Sequence, residues 1–194
     1  MRLRFPLVLA SASPRRRELL AEGGFDFSVA TADEVTEAHD ASLTPEALTQ
    51  HNARLKAQAV AAGHPGALVL GADTLVYLDA EPLGKPADLD EAASMLRRLS
   101  GRTHAVCTGV CVCGPGAGEM FLFHEVTEVA FRELTPEIIA DYLAKVPVLD
   151  KAGAYAAQEH GEMIITAMRG SWSNVVGLPM EKLRLALARW ENAG

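Results

Sequence analysis

A basic helix start near the N-terminus is the first feature of this sequence that could do chemistry. The apolar run Pro6–Ala10 leads to Ser13, a residue suited to cap a helix, and to Pro14, which is suited to the first helical position. Three arginines, Arg15–Arg17, then fall in the first turn, where their charge opposes the helix dipole. A bound anion would offset that cost. Two readings stay open: a phosphate site at a strand-to-helix turn, and a basic turn exposed to solvent.

An acidic residue directly follows the next strongly apolar run. Ala67–Leu70 predicts a central strand, and Gly71–Thr74, with the sequence Gly-Ala-Asp-Thr, comes next. We therefore expect Asp73 at the end of that strand, where side chains commonly face a ligand site. Its carboxylate could hold a metal ion or orient a water molecule. The alternative is an aspartate that caps a helix or stabilises a turn.

Three further charged residues are candidates for the same chemistry. Lys85 stands between a glycine and a proline, whose restricted backbone could aim its side chain. Glu37 lies in the acidic stretch Asp33–Asp40, and Lys56 lies in a long predicted helix. Taken singly, each of the three is also explained as a solvated surface charge.

Two polar segments rich in small residues could serve recognition. Asp150–Gln158 lies between a predicted helix and a predicted strand, and Gly170–Pro179 precedes the last predicted helix. The alternative for the second segment is a turn and a helix N-terminus. The six histidines are scattered without metal-ligand spacing, and the sequence has no phosphate loop, dinucleotide fingerprint or nucleophile elbow.

Helical and strand patterns alternate along the chain, which predicts a mixed α/β (α+β) fold. We expect strands at about 6–10, 25–30, 67–70, 105–113, 120–131 and 163–167, and helices at about 14–23, 44–62, 88–99, 135–144 and 179–190. Residues 77–81 are interpreted as an exposed turn. The predicted architecture is a twisted mixed sheet flanked by helices, with a cleft between two lobes, in a single domain over residues 1–194.

Composition and charge exclude several classes of protein. The chain of 194 residues is 49% apolar and 22% charged, which is typical of a globular domain. No apolar run approaches the roughly 20 residues of a membrane span, and no signal peptide is recognised, so we expect a cytoplasmic protein without a membrane partner. A net charge of −7 argues against a nucleic-acid partner.

The three cysteines, Cys107, Cys111 and Cys113, form no even framework for disulfides, which favours a reducing compartment. The spacing of Cys111 and Cys113 is not that of a zinc site. We interpret them as structural and expect their side chains on opposite faces of a strand.

Six short segments, taken together and in order, make the sequence resemble the Maf family of nucleoside triphosphate pyrophosphatases from end to end. They are Leu9–Arg16, Gly71–Thr74, Leu83–Pro86, Ser100–His104, Asp150–Tyr155 with Gln158, and Val175–Pro179. Ser-Pro-Arg-Arg, Ala-Asp-Thr and the glutamine are similar to the branch that acts on dTTP and UTP. The branch that acts on 7-methyl-GTP has Trp after Ser-Pro and Ser-Asp-Gln in the second segment, and this chain has neither.

The resemblance implies hydrolysis of dTTP and UTP, with modified pyrimidine nucleotides left open, to the monophosphate and pyrophosphate. It implies a divalent metal ion, Mg²⁺ or Mn²⁺, held by Glu37 and Asp73, and Asp73 as the proton acceptor. The implied substrate-binding and specificity residues are Ser11, Arg15, Arg16, Lys56, Thr74, Lys85 and Gln158. A nucleotide-sensing regulator of cell division and septum formation with little turnover, a 7-methyl-GTP-type pyrophosphatase, and a homodimer are alternatives that the sequence leaves open.

The sequence departs from the family pattern in two places. The acidic element usually reads Val-Asp-Glu or Val-Glu-Glu, whereas the aligned residues here are Val35-Thr36-Glu37, so the first acid is missing. After Gln158 come Glu159, His160 and Gly161, where many relatives have glycine at once. The second departure follows Gln158, the implied specificity residue, so it bears on the shape of the pocket that would bind the nucleotide base.

Overall fold

The apolar run near the N-terminus forms the first strand of a seven-stranded mixed sheet. The structure is a computed structural model and describes residues 2–31, 35–40, 42–116 and 119–191. Of the acidic stretch Asp33–Asp40, Asp33 and Glu34 lie outside the described residues. The strands are β1 (Leu7–Leu9), β2 (Phe27–Val29), β3 (Leu68–Leu78), β4 (Glu81–Leu83), β5 (Thr103–Cys113), β6 (Met120–Phe131) and β7 (Ile165–Arg169).

Six α-helices accompany the sheet in the described parts of the chain, and four of them begin directly after a residue whose side chain caps the helix. The helices are α1 (Pro14–Glu22), α2 (Pro45–Ala61), α3 (Leu89–Leu99), α4 (Pro136–Lys145), α5 (Trp172–Val176) and α6 (Met180–Leu187). The side chains of Ser13, Thr44, Asp88 and Thr135 each accept a hydrogen bond from the backbone N–H three residues further on. These caps satisfy amide groups that a helix start otherwise leaves unpaired, which fixes where the four helices begin.

The strand order in the sheet is β2-β1-β3-β5-β6-β7, with β4 also pairing with β3. Strand β1 is parallel to both β2 and β3, whereas β4 is antiparallel to β3 and β7 is antiparallel to β6. The predicted mixed sheet flanked by helices is confirmed. The predicted cleft between two lobes and the single-domain boundary 1–194 stay predictions.

The described residues form two compact units. Unit 1 is drawn from residues 1–73, 108–125 and 177–194, and unit 2 from residues 74–107 and 126–176. The core of unit 2 includes one face of α3, on which four apolar side chains are buried: Ala92, Met95, Leu96 and Leu99.

Strand β3 is longer than the sequence predicts, which changes the position of Asp73. The expected strand ended at Leu70 and the expected turn covered residues 77–81, but the strand continues to Leu78 and the turn is confined to Asp79 and Ala80. The first three residues of β3 pair with β1 and its last three residues pair with β4. Asp73 is the sixth of the eleven residues of β3, so it lies in the middle of the strand and not at its end.

Glycines let helix α2 lie directly against the sheet. A Cβ atom at Gly71 of β3 would stand 2.3 Å from the carbonyl oxygen of Ala53 and 2.8 Å from the amide nitrogen of Ala57. A Cβ atom at Gly109 of β5 would stand 2.3 Å from the carbonyl carbon of Thr49. The small residues on both sides therefore bring the backbone of α2 within reach of side chains on β3.

Three smaller expectations are corrected. Residues 161–163 form a short 3₁₀ turn, so β7 begins at Ile165 and not at residue 163. The segment Gly170–Pro179 contains α5, a helix too short to show a periodic pattern. The sulfur atoms of Cys111 and Cys113 are 4.0 Å apart, so the expectation of opposite faces is wrong, because residues i and i+2 of a strand share a face. Among the described residues, no helix is both long and apolar enough to cross a membrane.

Candidate functional site

The centre of the candidate site is an ammonium group between two carboxylates. The Nζ atom of Lys56 lies 2.7 Å from Asp73 Oδ1 and 2.6 Å from Glu37 Oε1. The Asp73 side chain is 8% exposed, the Lys56 side chain 18% and the Glu37 side chain 45%. The three residues come from the middle of β3, from α2 and from the irregular segment 35–40. The structure therefore joins three of the residues that the sequence singled out separately.

A buried asparagine that the sequence analysis missed connects the same three elements. Asn52 of α2 is 2% exposed and lies one helical turn before Lys56. Its Nδ2 group donates to Asp73 Oδ2 at 3.2 Å and to the carbonyl oxygen of Ala38 at 3.2 Å, and its Oδ1 accepts from the Ala38 N–H at 2.8 Å. Both oxygens of Asp73 thus have a donor, one from Lys56 and one from Asn52.

The buried guanidinium of Arg16 belongs to the same unit. Its Nε donates to the carbonyl oxygen of Gly177 at 2.9 Å and its Nη1 donates to Ser11 Oγ at 3.0 Å. Ser11 is also buried and accepts a second hydrogen bond from the Ser13 N–H at 3.3 Å. These contacts hold the buried Arg16 in one orientation at the start of α1, so this arginine is not part of a solvated turn. The phosphate site stays a prediction.

Electrostatics connect Arg16 to the two carboxylates. Burial lowers the pKa of Arg16 from its ordinary value, attraction by Asp73 and by Glu37 raises it, and repulsion by Arg15 lowers it. An arginine stays protonated at neutral pH in spite of such a shift. Arg15 is half-buried and Arg17 is exposed. The first turn of α1 therefore presents one fixed cation and a second one beside it.

Unit 2 carries the other predicted substrate residues. Thr74 follows Asp73 in β3 and is half-buried, whereas Lys85 and Gln158 are exposed. Lys85 lies in the loop after β4, and the carbonyl oxygen of Gly84 in that loop accepts a hydrogen bond of 3.0 Å from the Gly153 N–H. Within unit 2, the loop that carries Lys85 is thereby tied to the segment that leads to Gln158.

Two buried groups hold the segment before Gln158, and the sequence analysis did not single them out. Lys151 is 5% exposed and pairs with Asp150 at 2.8 Å and with Glu159 at 3.5 Å, and it also donates to the Pro147 carbonyl. His104 Nε2 lies 2.8 Å from the hydroxyl of Tyr155, with both side chains buried. Burying a lysine or a histidine costs free energy unless its charge is paired or the group is neutral. The contacts of Lys151 and His104 meet that requirement, so we interpret both residues as structural.

The carboxylate oxygens of Glu37 and Asp73 fit a hard divalent cation. Glu37 and Asp73 direct carboxylate oxygens at the same positive charge, that of Lys56. Mg²⁺ is commonly held by one or two carboxylates and completes its shell with water and substrate phosphates. Within the described parts of the chain, no three histidine, cysteine, aspartate or glutamate side chains converge as a metal cluster. Glu37 and Asp73 could hold a divalent cation together with the phosphate oxygens of a substrate.

Comparison with known proteins gives a consistent set of similarities. The family model described as Maf-like protein matches residues 6–190. The dTTP/UTP pyrophosphatase of Akkermansia muciniphila is 52% identical over 183 residues, which are 94% of this chain and 95% of that protein. The enzymes of the same name from Nitratidesulfovibrio vulgaris and Moorella thermoacetica are 45% and 49% identical, over 95% and 94% of this chain and 87% and 93% of theirs.

A solved structure shares the fold at much lower identity. The structure of a HAM1 protein from Coxiella burnetii aligns with a TM-score of 0.55 at 16% identity, over 95% of this chain and 99% of that one. At this identity the likeness concerns the arrangement of helices and strands alone.

Proposed function

Since this chain belongs to the Maf family, we propose that it hydrolyses dTTP and UTP to the nucleoside monophosphate and pyrophosphate. The observation that carries the proposal is the placement of Lys56 between Glu37 and Asp73, beside the buried Arg16. Carboxylates that can act as base and metal ligand stand next to cations that can bind phosphate. The names of the similar enzymes supply the two substrates.

The proposed reaction needs a metal ion, which this donor set fits. Glu37 and Asp73 would hold Mg²⁺ or Mn²⁺ through carboxylate oxygens. When bound, the ion screens the phosphate charges and lowers the pKa of nearby water. The phosphate oxygens of a bound nucleotide would complete the set of oxygen ligands that a hard cation prefers.

The residues of unit 1 divide the proposed chemistry between them. Asp73 accepts the proton of the water that attacks the α-phosphorus, and the bond to the β-phosphate oxygen breaks to release pyrophosphate. Its orientation is set by two donors, Lys56 at one oxygen and Asn52 at the other. Arg16, fixed by Ser11 and Gly177, stabilises the charge that develops on the phosphate oxygens without having to reorganise.

The remaining residues keep the roles that the family resemblance implies. Lys85 and Arg15 bind the triphosphate, with Arg15 also contributing to specificity. Thr74 and Gln158 donate or accept hydrogen bonds at the pyrimidine edge. A base that leaves such groups unpaired is rejected far more strongly than one that merely fits poorly. The homodimer, the cytoplasmic location and the acceptance of modified pyrimidine nucleotides also stay predictions.

A nucleotide panel tests the proposal. Purified protein with Mg²⁺ or Mn²⁺ is incubated with dTTP, UTP, dCTP, GTP and 7-methyl-GTP, and pyrophosphate and orthophosphate are measured separately. We expect pyrophosphate alone, with the highest kcat/KM for dTTP and UTP. Release of orthophosphate, or the highest kcat/KM for 7-methyl-GTP, would overturn the proposal. Tight nucleotide binding with almost no turnover would favour the nucleotide-sensing regulator instead.

A further inference from the structure

Asn52 makes contacts that its helix does not require. An asparagine inside a helix is a weaker helix former than alanine or leucine, and burial of an amide is costly unless its donors and acceptor are paired. Asn52 nevertheless occupies a fully internal position of α2, between Thr49 and Ala53, which are both completely buried. Asparagine at this position is unfavourable for the stability of both the helix and the core. Its presence must therefore be explained by the groups with which it forms hydrogen bonds.

The partners are the two parts of the candidate site that carry carboxylates. Ala38, which exchanges two hydrogen bonds with the Asn52 amide, is the residue directly after Glu37. Asp73, which accepts the third, lies 21 residues further along the chain from Asn52. One side chain therefore holds the backbone beside the first carboxylate and an oxygen of the second.

The hydrogen-bond pattern also fixes which way the amide points. The Ala38 N–H can only donate, so the atom that faces it at 2.8 Å must be the oxygen. The nitrogen is then directed at the Ala38 carbonyl and at Asp73 Oδ2, which both accept. Leucine would supply none of the three contacts, and aspartate would supply only the acceptor for the Ala38 N–H.

We propose that Asn52 is a positioning residue for the hydrolysis, which holds the Asp73 carboxylate and the segment that carries Glu37 in their reactive arrangement. The proposal rests on the function proposed above and adds a residue to it. Asn52 acts through Asp73 and Ala38 and does not itself contact substrate. Because its effect is on the geometry of the base, loss of the amide lowers kcat much more than it weakens nucleotide binding.

The test compares two changes at Asn52 with a matched control. Asn52→Ala removes all three contacts and favours the helix, so it is expected to fold. Asn52→Asp keeps the acceptor for the Ala38 N–H and removes the donor to Asp73. Asn174→Ala is the control, because Asn174 is also completely buried and donates to the Val106 carbonyl at 3.0 Å and to Thr127 Oγ1 at 2.9 Å, all within unit 2.

Four quantities are measured: kcat for dTTP, KM for dTTP, the affinity for a non-hydrolysable α,β-imido analogue of dTTP with and without Mg²⁺, and the melting temperature. For Asn52→Ala and Asn52→Asp we expect kcat to fall about 10- to 100-fold while KM and analogue affinity change less than about threefold. For Asn174→Ala we expect a lower melting temperature with kcat close to that of the wild type, measured where the protein is folded.

Each other outcome overturns the inference. An unchanged kcat in folded Asn52→Ala contradicts it, as does a loss confined to KM and analogue affinity. An unchanged kcat in Asn52→Asp shows that the contact with Asp73 is not needed. An equal loss of kcat in Asn174→Ala shows that the loss in the Asn52 variants comes from a general decrease in protein stability. If the wild-type protein releases no pyrophosphate from any nucleotide, the proposed function fails first and the role of Asn52 falls with it.

Discussion

Lys56 Nζ and Asp73 Oδ1 are 2.7 Å apart and join the middle of α2 to the middle of β3. The pair is mostly shielded from solvent, so its attraction is stronger than that of an exposed ion pair. Without the ammonium group, the carboxylates of Asp73 and Glu37 would lie close together with no cation between them. The ion pair therefore stabilises the packing of α2 on β3. It also places the positive charge of Lys56 where the proposed hydrolysis of a nucleotide needs a cation.

Substitution Lys56→Met is expected to lower kcat/KM for dTTP by about 100-fold or more, since a preorganised donor to developing phosphate charge is lost. Steady-state pyrophosphate release measures the effect. Lys145→Met is the control, because Lys145 is an exposed lysine paired with Asp141 at 2.7 Å and should change kcat/KM less than about twofold. A Lys56→Met enzyme as active as the control would remove Lys56 from the site.

Substitution Asp73→Asn is expected to reduce kcat for dTTP by about 10²- to 10⁴-fold, the range found when a general base is lost. The amide keeps the shape of the carboxylate, so circular dichroism and the melting transition should still show a folded protein. Asp141→Asn makes the same change at an exposed carboxylate of α4 and should leave kcat within about twofold of the wild type. Activity of Asp73→Asn near the wild-type level would exclude Asp73 as the base.

Substitution Gly71→Ala is expected to impair both stability and activity. The added Cβ would meet the Ala53 carbonyl oxygen at 2.3 Å, so α2 has to move away from β3 and carries Asn52 and Lys56 with it. Overpacking of this kind costs about 1–3 kcal/mol in the free energy of unfolding.

The matched control for that change is Gly66→Ala. A Cβ atom at Gly66 would have no heavy atom within 4 Å, and unfolding by urea should differ from the wild type by less than about 0.5 kcal/mol. Equal stability and activity of Gly71→Ala and Gly66→Ala would contradict the close packing of α2 on the sheet.

The pH dependence of stability should contain a contribution from His104. Burial lowers the pKa of His104 from 6.5 to about 4. Above pH 6.5 the imidazole is neutral in both folded and unfolded protein, and stability from this residue is complete. As pH falls from 6.5 to 4 the unfolded chain takes up a proton that the folded protein does not, which lowers the free energy of unfolding by about 3 kcal/mol in total.

Urea unfolding of the wild type and of His104→Gln between pH 7.5 and 4 measures that contribution. The variant has no imidazole here, so its stability should fall less over this range, although it starts lower because the bond to Tyr155 is lost. Parallel profiles for His104→Gln and the wild type would show that His104 does not titrate in this range.

Substitution Gln158→Ala is expected to narrow the preference for dTTP and UTP over dCTP and GTP by about tenfold or more, because a polar contact with the base is lost. The measured quantity is the ratio of kcat/KM values across the nucleotide panel. Gln58→Ala on the exposed face of α2 is the control and should leave that ratio unchanged. If both variants keep the wild-type ratio, the pyrimidine edge is recognised elsewhere.

Local signals explain why much of the fold follows from the sequence. Ser13 with Pro14 and Thr44 with Pro45 mark helix starts through short-range capping, and the structure has both helices there. The predicted strand is shorter than β3 because glycine, aspartate and threonine at residues 71, 73 and 74 follow its apolar run, and because β4, the antiparallel partner of its last three residues, is not among the predicted strands.

The candidate site, like strand β3, depends on contacts that the local sequence does not reveal. The sequence indicates Lys56, Glu37 and Asp73 separately, but the ion pairs that join them form between residues 17 or more positions apart. Asn52 carries no motif and sits in a helix among ordinary residues. Its function in the site is visible only once α2 lies on β3, since its partners are the backbone of Ala38 and a side chain 21 residues away.

The contact between Arg16 and the carbonyl of Gly177 has a consequence for biosynthesis. The two residues are 161 positions apart, and unit 1 is assembled from three separate stretches of chain. At a synthesis rate of about 5–20 residues per second, the ribosome takes on the order of 10–30 s to deliver Gly177 after Arg16. We expect the emerging chain to be unable to bind a polyphosphate at this site until Gly177 has been synthesised.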